Sequence, residues 1–444
     1  MNNPPLRVSK GAQLWNKAKK IIPGGNQLLS KRSERFVPDI WPAYYSRAKG
    51  CEIWGVEGEH YFDFAGMGVG SCILGYANDE VDAAVMDAIR NGSMSTLNSP
   101  EEIELAERLL ALNPWSGMVR FSRAGGEACA IAVRIARAAA GRNKVAFCGY
   151  HGWHDWYISS NLSDGANLDD QLLPGLSSRG IARGLKGSAL PFRYNQLNEL
   201  EKIIAENPGE IGVIIMEPAR DHMPEPGFLE GIRKLADKIG AVLIFDEVTS
   251  GFVLNLGGVH ATLGVLPDIA VYGKALGNGY PITAVVGTAS VMDHAQETFI
   301  SSTFWTERIG FTAALKAIEV MEKTKAQEKM IVQGRKIAEI WRKAAAANGL
   351  KIHTEGLDPH VHLVIENDPN LEIHTLLTQE MLRLGYLYSP SMRCNLAYTD
   401  DILAGFAEAT DKSFSVVGAA VKAGNVRSLL QSSMPASTGF KRLT

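Results

Sequence analysis

The feature that most constrains this chain is a regular alternation of helical segments with short apolar runs between residues 71 and 323. Runs such as Val145–Cys148, Val213–Met216 and Val242–Phe245 are apolar throughout and lack the polar alternation of a half-exposed strand. Strands of this kind are typical of parallel sheets, whose two faces are both covered by helices. The sequence therefore predicts an α/β fold with a mostly parallel sheet.

The chain falls into three stretches by pattern. Residues 71–323 hold the alternating elements and are predicted to form the large domain. Residues 1–70 are mixed, with short strand candidates, and residues 324–444 combine a long predicted helix, Glu328–Asn348, with further strand and helix candidates. We expect the stretches at the two ends to form a smaller α+β domain, to which residues 1–70 contribute the N-terminal segment.

Charge and cysteine content narrow the classes of partner. The chain has 45 lysines and arginines against 48 aspartates and glutamates, so its charge gives no reason to expect a nucleic-acid ligand. Its five cysteines are scattered and form no CxxC pair, which argues against disulfides and a zinc site and suits a reducing compartment. No apolar run reaches the roughly 20 residues of a membrane span. We expect a cytoplasmic protein that acts on small molecules, with no metal, nucleic-acid or membrane partner.

Two charged residues follow separate apolar runs in this stretch. Asp246 closes the run Val242–Phe245, and Lys274 follows the strand candidate Ile269–Tyr272 in a turn rich in glycine. Taken alone, Asp246 is explained as a strand-end cap and Lys274 as a solvated loop charge. Taken together, they are the two groups that pyridoxal phosphate requires of a protein. These are a lysine that forms a Schiff base and an aspartate opposite the pyridinium nitrogen.

Two further segments suit the same cofactor. Gly125 and Gly126 stand at the start of a long predicted helix, where unpaired N–H groups and the helix dipole favour a phosphate. Tyr150 follows an apolar run, and its ring could stack on a planar cofactor. The alternatives there are simple aromatic packing, or a metal pair at His151 and His154, which lacks the neighbouring acidic or cysteine ligands of a metal site.

These segments, in their order along the chain, resemble the class III aminotransferases of the type I pyridoxal-phosphate fold. Within that family the likeness is strongest to glutamate-1-semialdehyde 2,1-aminomutase. The resemblance implies a mostly parallel seven-stranded sheet in the large domain, pyridoxal 5'-phosphate as cofactor and its pyridoxamine form as intermediate. The motifs that carry it are Ile22-Pro23-Gly24-Gly25, Gly149-Tyr150-His151-Gly152, Met216-Glu217-Pro218, Phe245-Asp246-Glu247-Val248, Pro267-Asp268-Ile269 and Gly273-Lys274-Ala275-Leu276-Gly277-Asn278-Gly279.

Around the cofactor ring, the resemblance implies that Lys274 forms the Schiff base and later moves the proton. Asp246 then pairs with the ring nitrogen, while Tyr150 and Val248 cover the two ring faces. Glu217 supports the site without touching the reacting atoms.

Around the phosphate, the resemblance implies backbone N–H groups donated by Gly125 and Gly126. It also implies that Thr303 reaches the phosphate bound to the neighbouring subunit. The active site would then need a homodimer.

The phosphate loop departs from the family pattern. The family's Ser-Gly-Thr is Ala124-Gly125-Gly126 in this chain, so two hydroxyl donors are missing. We expect the backbone to donate more, or Ser122 and Arg123 to compensate.

The substrate side also departs from the aminomutase. Its carboxylate-binding arginine has no clear counterpart after Pro23-Gly24-Gly25, although Lys31 or Arg32 could replace it. The gating glutamate is missing too, because residues 381–400 contain no glutamate. A mutase must retain its intermediate whereas a transaminase must release a product, so this loss favours a transaminase.

We therefore predict an aminotransferase that moves an amino group from an amino-acid donor to a small carbonyl substrate. Charged residues in the expected substrate loops suggest a polar substrate of anionic or sugar-like character. The alternatives are the intramolecular aminomutase reaction, a nucleotide-dependent dehydrogenase and an inactive homologue. The charged residues are Arg220, Glu307, Arg308 and Arg393.

Overall fold

A computed structural model describes residues 6–171, 173–219, 221–440 and 443. By its internal contacts the chain divides into two compact units, one formed by Met1–Asn78 with Glu328–Thr444 and the other by Asp79–Gln327. The domain boundaries near residues 70 and 323 stay a prediction. In the described residues the strands are β1 Tyr45–Lys49, β2 Glu52–Gly55, β3 His60–Phe64, β4 Met118–Ser122, β5 Lys144–Cys148, β6 Ala189–Pro191, β7 Ile211–Met216, β8 Val242–Glu247, β9 Ile269–Tyr272, β10 Thr283–Gly287, β11 Ile352–Leu357, β12 His360–Ile365 and β13 Tyr386–Tyr388.

The unit Asp79–Gln327 is built on a seven-stranded sheet with the order β4-β10-β9-β8-β7-β5-β6. Four neighbouring pairs are parallel, and β10 runs antiparallel to both β9 and β4. The predicted α/β fold with a mostly parallel seven-stranded sheet is therefore confirmed. The helices of this unit are Asp79–Arg90, Pro100–Leu112, Gly125–Ala140, Asp155–Ile158, Leu197–Glu206, Phe228–Ile239, His260–Leu263, Ala289–Met292 and Arg308–Thr324.

The central strands are apolar on both faces because each face packs against its own helix layer. Ile244 belongs to the apolar cluster under the helix Gly125–Ala140. Its neighbour Leu243 belongs to the opposite cluster, which includes the helix Phe228–Ile239. Successive side chains of a strand point to opposite faces, so a strand covered on both sides has no polar position. This is why the short apolar runs predicted the sheet.

The unit formed by the two chain ends contains two smaller sheets. One has four strands in the order β1-β2-β3-β13, and β13 runs parallel to β3 although it lies far along the chain. The other is the antiparallel pair β11–β12. The helices of this unit are Lys10–Ile21, Met67–Gly70, most of Ala326–Asn348, Glu372–Arg383, Asp400–Ala423 and Val426–Leu429.

The helices of the described ranges are too short or too polar to cross a membrane.

Candidate active site

The predicted site residues follow strands that end at one edge of the large sheet. Strands β5, β7, β8 and β9 are mutually parallel neighbours, so their carboxyl ends lie at the same edge, where open α/β sheets bind ligands. Tyr150 comes just after β5, and Glu217 directly after β7. Asp246 lies at the end of β8, and Lys274 lies just after β9. The topology thus brings four predicted residues to one edge.

Asp246 is a buried carboxylate surrounded by hydrogen-bond donors. Its Oδ2 atom lies 2.7 Å from His151 Nδ1 and 3.2 Å from Cys129 Sγ, and its Oδ1 atom accepts from the Val248 N–H at 3.1 Å. Burial acts to raise the pKa of Asp246, but the hydrogen bond and charge of His151, with the other two donors, hold that pKa below its ordinary value. Asp246 is therefore an anion kept ionised inside the protein, as a partner for a pyridinium nitrogen must be.

Cys129, His151 and Asp246 place their possible ligand atoms within 4.8 Å of one another. Such a buried trio has the composition of a metal site. However, burial and the nearby Asp246 carboxylate raise the pKa of the Cys129 thiol well above its ordinary value. In this structure the thiol donates to the Asp246 Oδ2 atom, which also lies 2.7 Å from His151 Nδ1. The trio therefore forms a hydrogen-bonded support for the Asp246 carboxylate.

Lys274 lies in a tight turn at the end of β9. Its Nζ atom donates to the Thr249 hydroxyl at 2.8 Å, and its backbone has a φ of 45°. A Cβ built on the preceding Gly273 would lie 3.4 Å from the side chain of Val248. Two residues that follow β8, Val248 and Thr249, thus connect the lysine turn with the Asp246 strand.

Val248 also borders the start of the helix Gly125–Ala140. A Cβ built on Gly125 would lie 2.9 Å from Val248 Cγ1, so this position leaves no room for a larger residue. The Glu127 carboxylate accepts the N–H groups of Arg123 and Ala124 at 3.0 and 3.3 Å. The first N–H groups inside a helix have no partner within it, so those of Gly125 and Gly126 are available to an anion.

Tyr150 is half-buried in the loop after β5. Its N–H donates to the Glu217 carboxylate at 3.0 Å, and its ring meets the Tyr157 ring edge-on at 5.9 Å. The adjacent Gly149 N–H donates to Gln171 at 2.7 Å. Glu217 thus positions the backbone that carries Tyr150.

The two residues expected to compensate in the phosphate loop have other partners. The Ser122 hydroxyl is buried and pairs with Thr283 at 2.6 Å. The Arg123 guanidinium binds the carbonyl oxygens of Phe304, at 2.9 Å, and of Trp305, at 3.3 Å. Both side chains therefore hold structure together around the loop.

Two charged residues of the expected substrate loops are also structural. The Glu307 carboxylate accepts from the Ile309 N–H at 2.6 Å and so caps the helix Arg308–Thr324. Arg308 pairs with Glu101 at 2.5 Å. Neither side chain is free to bind a substrate in this arrangement.

Thr303 lies on an exposed segment between β10 and the helix Arg308–Thr324. It is exposed at the start of the short 3-10 helix Thr303–Thr306, where its carbonyl accepts from the Thr306 hydroxyl at 3.2 Å. Arg123 holds the following segment through Phe304, so Thr303 stays near the phosphate loop in the chain's own fold but faces outward.

The remaining candidates belong to the other unit or lie outside the described residues. Arg32 stacks over the Phe440 ring at 5.8 Å and packs beside Gly24, while Lys31 is exposed. Arg393 donates to the Met392 carbonyl at 3.2 Å. Arg220 is outside the described residues. Which of these contacts a substrate stays a prediction.

Comparison with known proteins identifies the family. Residues 36–353, more than half of the chain, match the family model of the class-III aminotransferases. The chain belongs to the class-III aminotransferases. It is 32% identical over 425 residues to the 3-aminobutyryl-CoA aminotransferase of Cloacimonas acidaminovorans (strain Evry), covering 93% of this chain and 98% of that protein. The family predicted from the sequence is therefore confirmed.

Solved structures agree with this class-III fold. The PLP internal aldimine form of the FumI protein of Sphingopyxis sp. MTA144 superposes with a TM-score of 0.84 at 25% identity, over 93% of this chain and 97% of that one. An omega-transaminase from Sphaerobacter thermophilus gives 0.81 at 24% identity, over 92% and 98%. Class-III aminotransferases use pyridoxal phosphate, so the predicted cofactor and the predicted aminotransferase activity are both confirmed.

The residues of this class-III aminotransferase fit that cofactor. Asp246 supplies a buried anion, Lys274 a positioned amine, and the helix start at Gly125 a set of N–H donors. A Cβ would not fit at Gly125, as expected where backbone and ligand approach closely.

The sequence did not point to three of the residues that build this site. Cys129 is one apolar-looking position in an alanine-rich helix, and Thr249 is an ordinary polar residue after the Asp246 strand. For His151 the sequence indicated only an alternative metal pair with His154. Cys129 lies on the face of the helix Gly125–Ala140 that is buried against β8. This position could have indicated its contact with Asp246, because Asp246 lies at the end of that strand.

Proposed function

We propose that this class-III aminotransferase transfers an amino group from an amino-acid donor to a small polar carbonyl substrate of anionic or sugar-like character. The observation that carries the proposal is the arrangement of Asp246, Lys274 and Gly125 around Val248 at one sheet edge. An ionised carboxylate, an amine and a set of N–H donors together suit the ring nitrogen, the aldehyde carbon and the phosphate of the cofactor.

In this proposal Lys274 anchors the cofactor and then moves the substrate proton with its Nζ atom. The bound cofactor supplies a conjugated ring that accepts the electrons of the broken C–H bond. Asp246 keeps the ring nitrogen protonated through its Oδ atoms, which His151 and Cys129 hold in place. The Thr249 hydroxyl accepts from Lys274 Nζ and so limits where the amine can point.

A cavity beside the Tyr150 loop offers charged and amide side chains to a polar substrate. Its volume is about 280 Å³, and it opens next to Gly149 and Glu217. These side chains alternate with apolar surface in its lining. Its remaining lining residues are Cys148, Asp170, Gln171, Arg193, Tyr194, Asp221 and His222.

The proposed function can be tested by adding an amino donor and a carbonyl acceptor one after the other. We expect a common amino donor alone, such as glutamate or alanine, to convert the cofactor from its lysine-bound to its aminated absorbance, because the donor half-reaction needs no acceptor. Addition of a carbonyl acceptor should reverse the change. The measurement is an absorbance titration of the purified protein with each donor and then with a panel of polar aldehydes and ketones.

The same purified protein can be used to distinguish the aminotransferase from the aminomutase reaction. Incubation with glutamate 1-semialdehyde and a direct assay for 5-aminolevulinate tests the intramolecular aminomutase reaction. Steady 5-aminolevulinate formation with no donor half-reaction would contradict the proposed function in favour of the mutase. The curated relative is named as an aminotransferase, which supports the transaminase.

We further propose that the enzyme is a homodimer in which Thr303 of each subunit binds the cofactor phosphate of the other. The exposed position of Thr303 supports this, as do the neighbouring side chains of Phe299 and Phe304, which are 85% and 67% exposed. Apolar side chains left so exposed are typical of surfaces that another chain covers. We also propose a cytoplasmic location, which the five free, buried cysteines of the described chain support.

Co-expression of two variants with different defects tests the placement of Thr303. Thr303→Ala alone is expected to weaken cofactor binding about 10-fold, as for a lost hydrogen bond to a charged group. In a mixed dimer of Thr303→Ala with Lys274→Ala subunits, one site regains both native residues only if Thr303 acts across the interface. Titration of differently tagged, purified mixed dimers should then show one site of native affinity per dimer. Sites of only weakened affinity would place Thr303 within its own subunit.

A further inference from the structure

We infer that His154 is a cofactor-binding residue, whose imidazole takes the place of the side-chain hydroxyl that this enzyme's phosphate loop lacks. The inference rests on the proposed function, in which the first turn of the helix Gly125–Ala140 receives the cofactor phosphate. It adds a residue from a different segment, the loop that follows β5, to that phosphate site.

The loop Ala124-Gly125-Gly126 offers no side-chain donor to a phosphate. His154 lies beside it with a polar atom to spare. The His154 Nδ1 atom is buried and has no hydrogen-bond partner among the described residues. A buried ring nitrogen without a partner costs free energy that a ligand can recover.

The glycine at position 126 makes the approach of His154 possible. A Cβ built on Gly126 would lie 3.2 Å from His154 Nδ1 and 3.2 Å from the Cα atom of Gly152. In the reverse direction, a Cβ on Gly152, which has a φ of 98°, would lie 2.6 Å from the Gly126 Cα atom. The two backbones therefore touch because neither residue has a side chain.

The imidazole thus lies against the volume that a threonine at position 126 would occupy. A threonine there would place its Cβ tighter against the ring than ordinary contacts allow. His154 and a side chain at position 126 are consequently alternatives for one space at the mouth of the helix. The imidazole of His154 therefore replaces the hydroxyl that a threonine at position 126 would supply.

The surroundings of His154 suit a neutral donor held in a fixed plane. Burial lowers the pKa of His154, while the Glu127 and Asp155 carboxylates act in the opposite direction. A neutral imidazole still donates one N–H, so the ring serves a phosphate without introducing a buried charge. The Trp153 ring stacks on the imidazole with centroids 4.5 Å apart and restricts its orientation.

The test compares pyridoxal phosphate with pyridoxal, which lacks the phosphate, on the cofactor-free full-length protein. In His154→Ala we expect the Kd for pyridoxal phosphate to rise about 10- to 100-fold, the range for a lost hydrogen bond to a charged group. The Kd for pyridoxal should change less than about 3-fold, because the ring contacts remain. His294→Ala, which replaces a surface histidine paired with Glu297, is the matched control and should match the wild type.

A second pair of variants tests the exchange itself. Gly126→Thr alone should weaken pyridoxal phosphate binding, because the new side chain collides with His154. Gly126→Thr in the His154→Ala background should recover part of the lost binding, because the contact with the imidazole is removed and the threonine supplies a hydroxyl, although its Cβ still lies 3.2 Å from the Gly152 Cα atom. His154→Gln, which keeps a donor, covers the case that His154→Ala does not fold.

The outcomes separate this inference from the function on which it rests. Equal weakening of both ligands in His154→Ala and His154→Gln, or no weakening of either, would overturn the role of His154 in phosphate binding. A wild-type protein that binds neither ligand would instead contradict the proposed function, and the inference with it. Selective loss of pyridoxal phosphate binding, together with partial recovery by Gly126→Thr, would establish the inference.

Discussion

Replacement of Lys274 by alanine is expected to lower the rate of amino transfer by about 10⁴-fold, the upper end of what a positioned proton-transfer group contributes. The variant loses the amine that anchors the cofactor and the base that moves the substrate proton. It should fold normally, because the positive φ at position 274 costs about as much free energy for alanine as for lysine. Turnover with the best donor and acceptor, measured with saturating cofactor, gives the size of the loss.

A chemical label identifies the lysine independently of turnover. Borohydride reduction of the wild-type protein should attach the cofactor irreversibly to Lys274, and peptide mass spectrometry should locate it there. Lys202→Ala, which removes a lysine whose side chain is 74% exposed, should label as the wild type does. A label on any other lysine would show that Lys274 has been assigned the wrong role.

Replacement of Asp246 by asparagine is expected to lower turnover by about 10²- to 10³-fold, the range for removal of one preorganised electrostatic contact. The amide cannot keep the ring nitrogen protonated, so the ring becomes a poorer acceptor of electrons. Because the hydrogen bonds described above hold the pKa of Asp246 below its ordinary value of 3.8, the wild-type carboxylate is ionised at neutral pH. The loss should therefore be the same at every pH from about 6 to 8.

The lowered pKa of Asp246 also sets how the stability of the folded protein depends on pH. The ionised Asp246 stabilises the folded protein above its ordinary pKa, and this contribution is lost as the pH falls through the folded pKa.

Asp237→Asn, on the surface of the helix Phe228–Ile239, is the control for Asp246→Asn and should leave turnover unchanged. Retention of more than about a tenth of the wild-type rate in Asp246→Asn would exclude Asp246 as the partner of the ring nitrogen.

The sequence predicted the large sheet well because its signal is local. The run Val242–Phe245 is apolar at every position, and the structure extends that strand only to Glu247. The short strand Ala189–Pro191 was missed because three residues ending in proline carry no period. Strand Tyr386–Tyr388 was missed because it pairs with His60–Phe64, a contact between distant parts of the chain.

The same distinction applies to the active site. Asp246 and Lys274 could be found because each lies beside an apolar strand whose end is visible in the sequence. The contact of His154 with Gly126 could not be found, because it depends on two backbones that approach each other in space. The sequence does not decide whether Arg32 binds a carboxylate, and only the folded chain shows its side chain stacked over the Phe440 ring.

The backbone of Lys274 connects the chemistry of this enzyme with its evolution. A φ of 45° at a residue with a side chain costs about 1–3 kcal/mol, and glycine or asparagine would adopt it more readily. Selection for heat resistance alone would therefore favour sequences that have lost the reactive amine. Variants selected for heat resistance should be screened for turnover at every round. A glycine or asparagine at position 274 would relieve the backbone strain but would abolish activity.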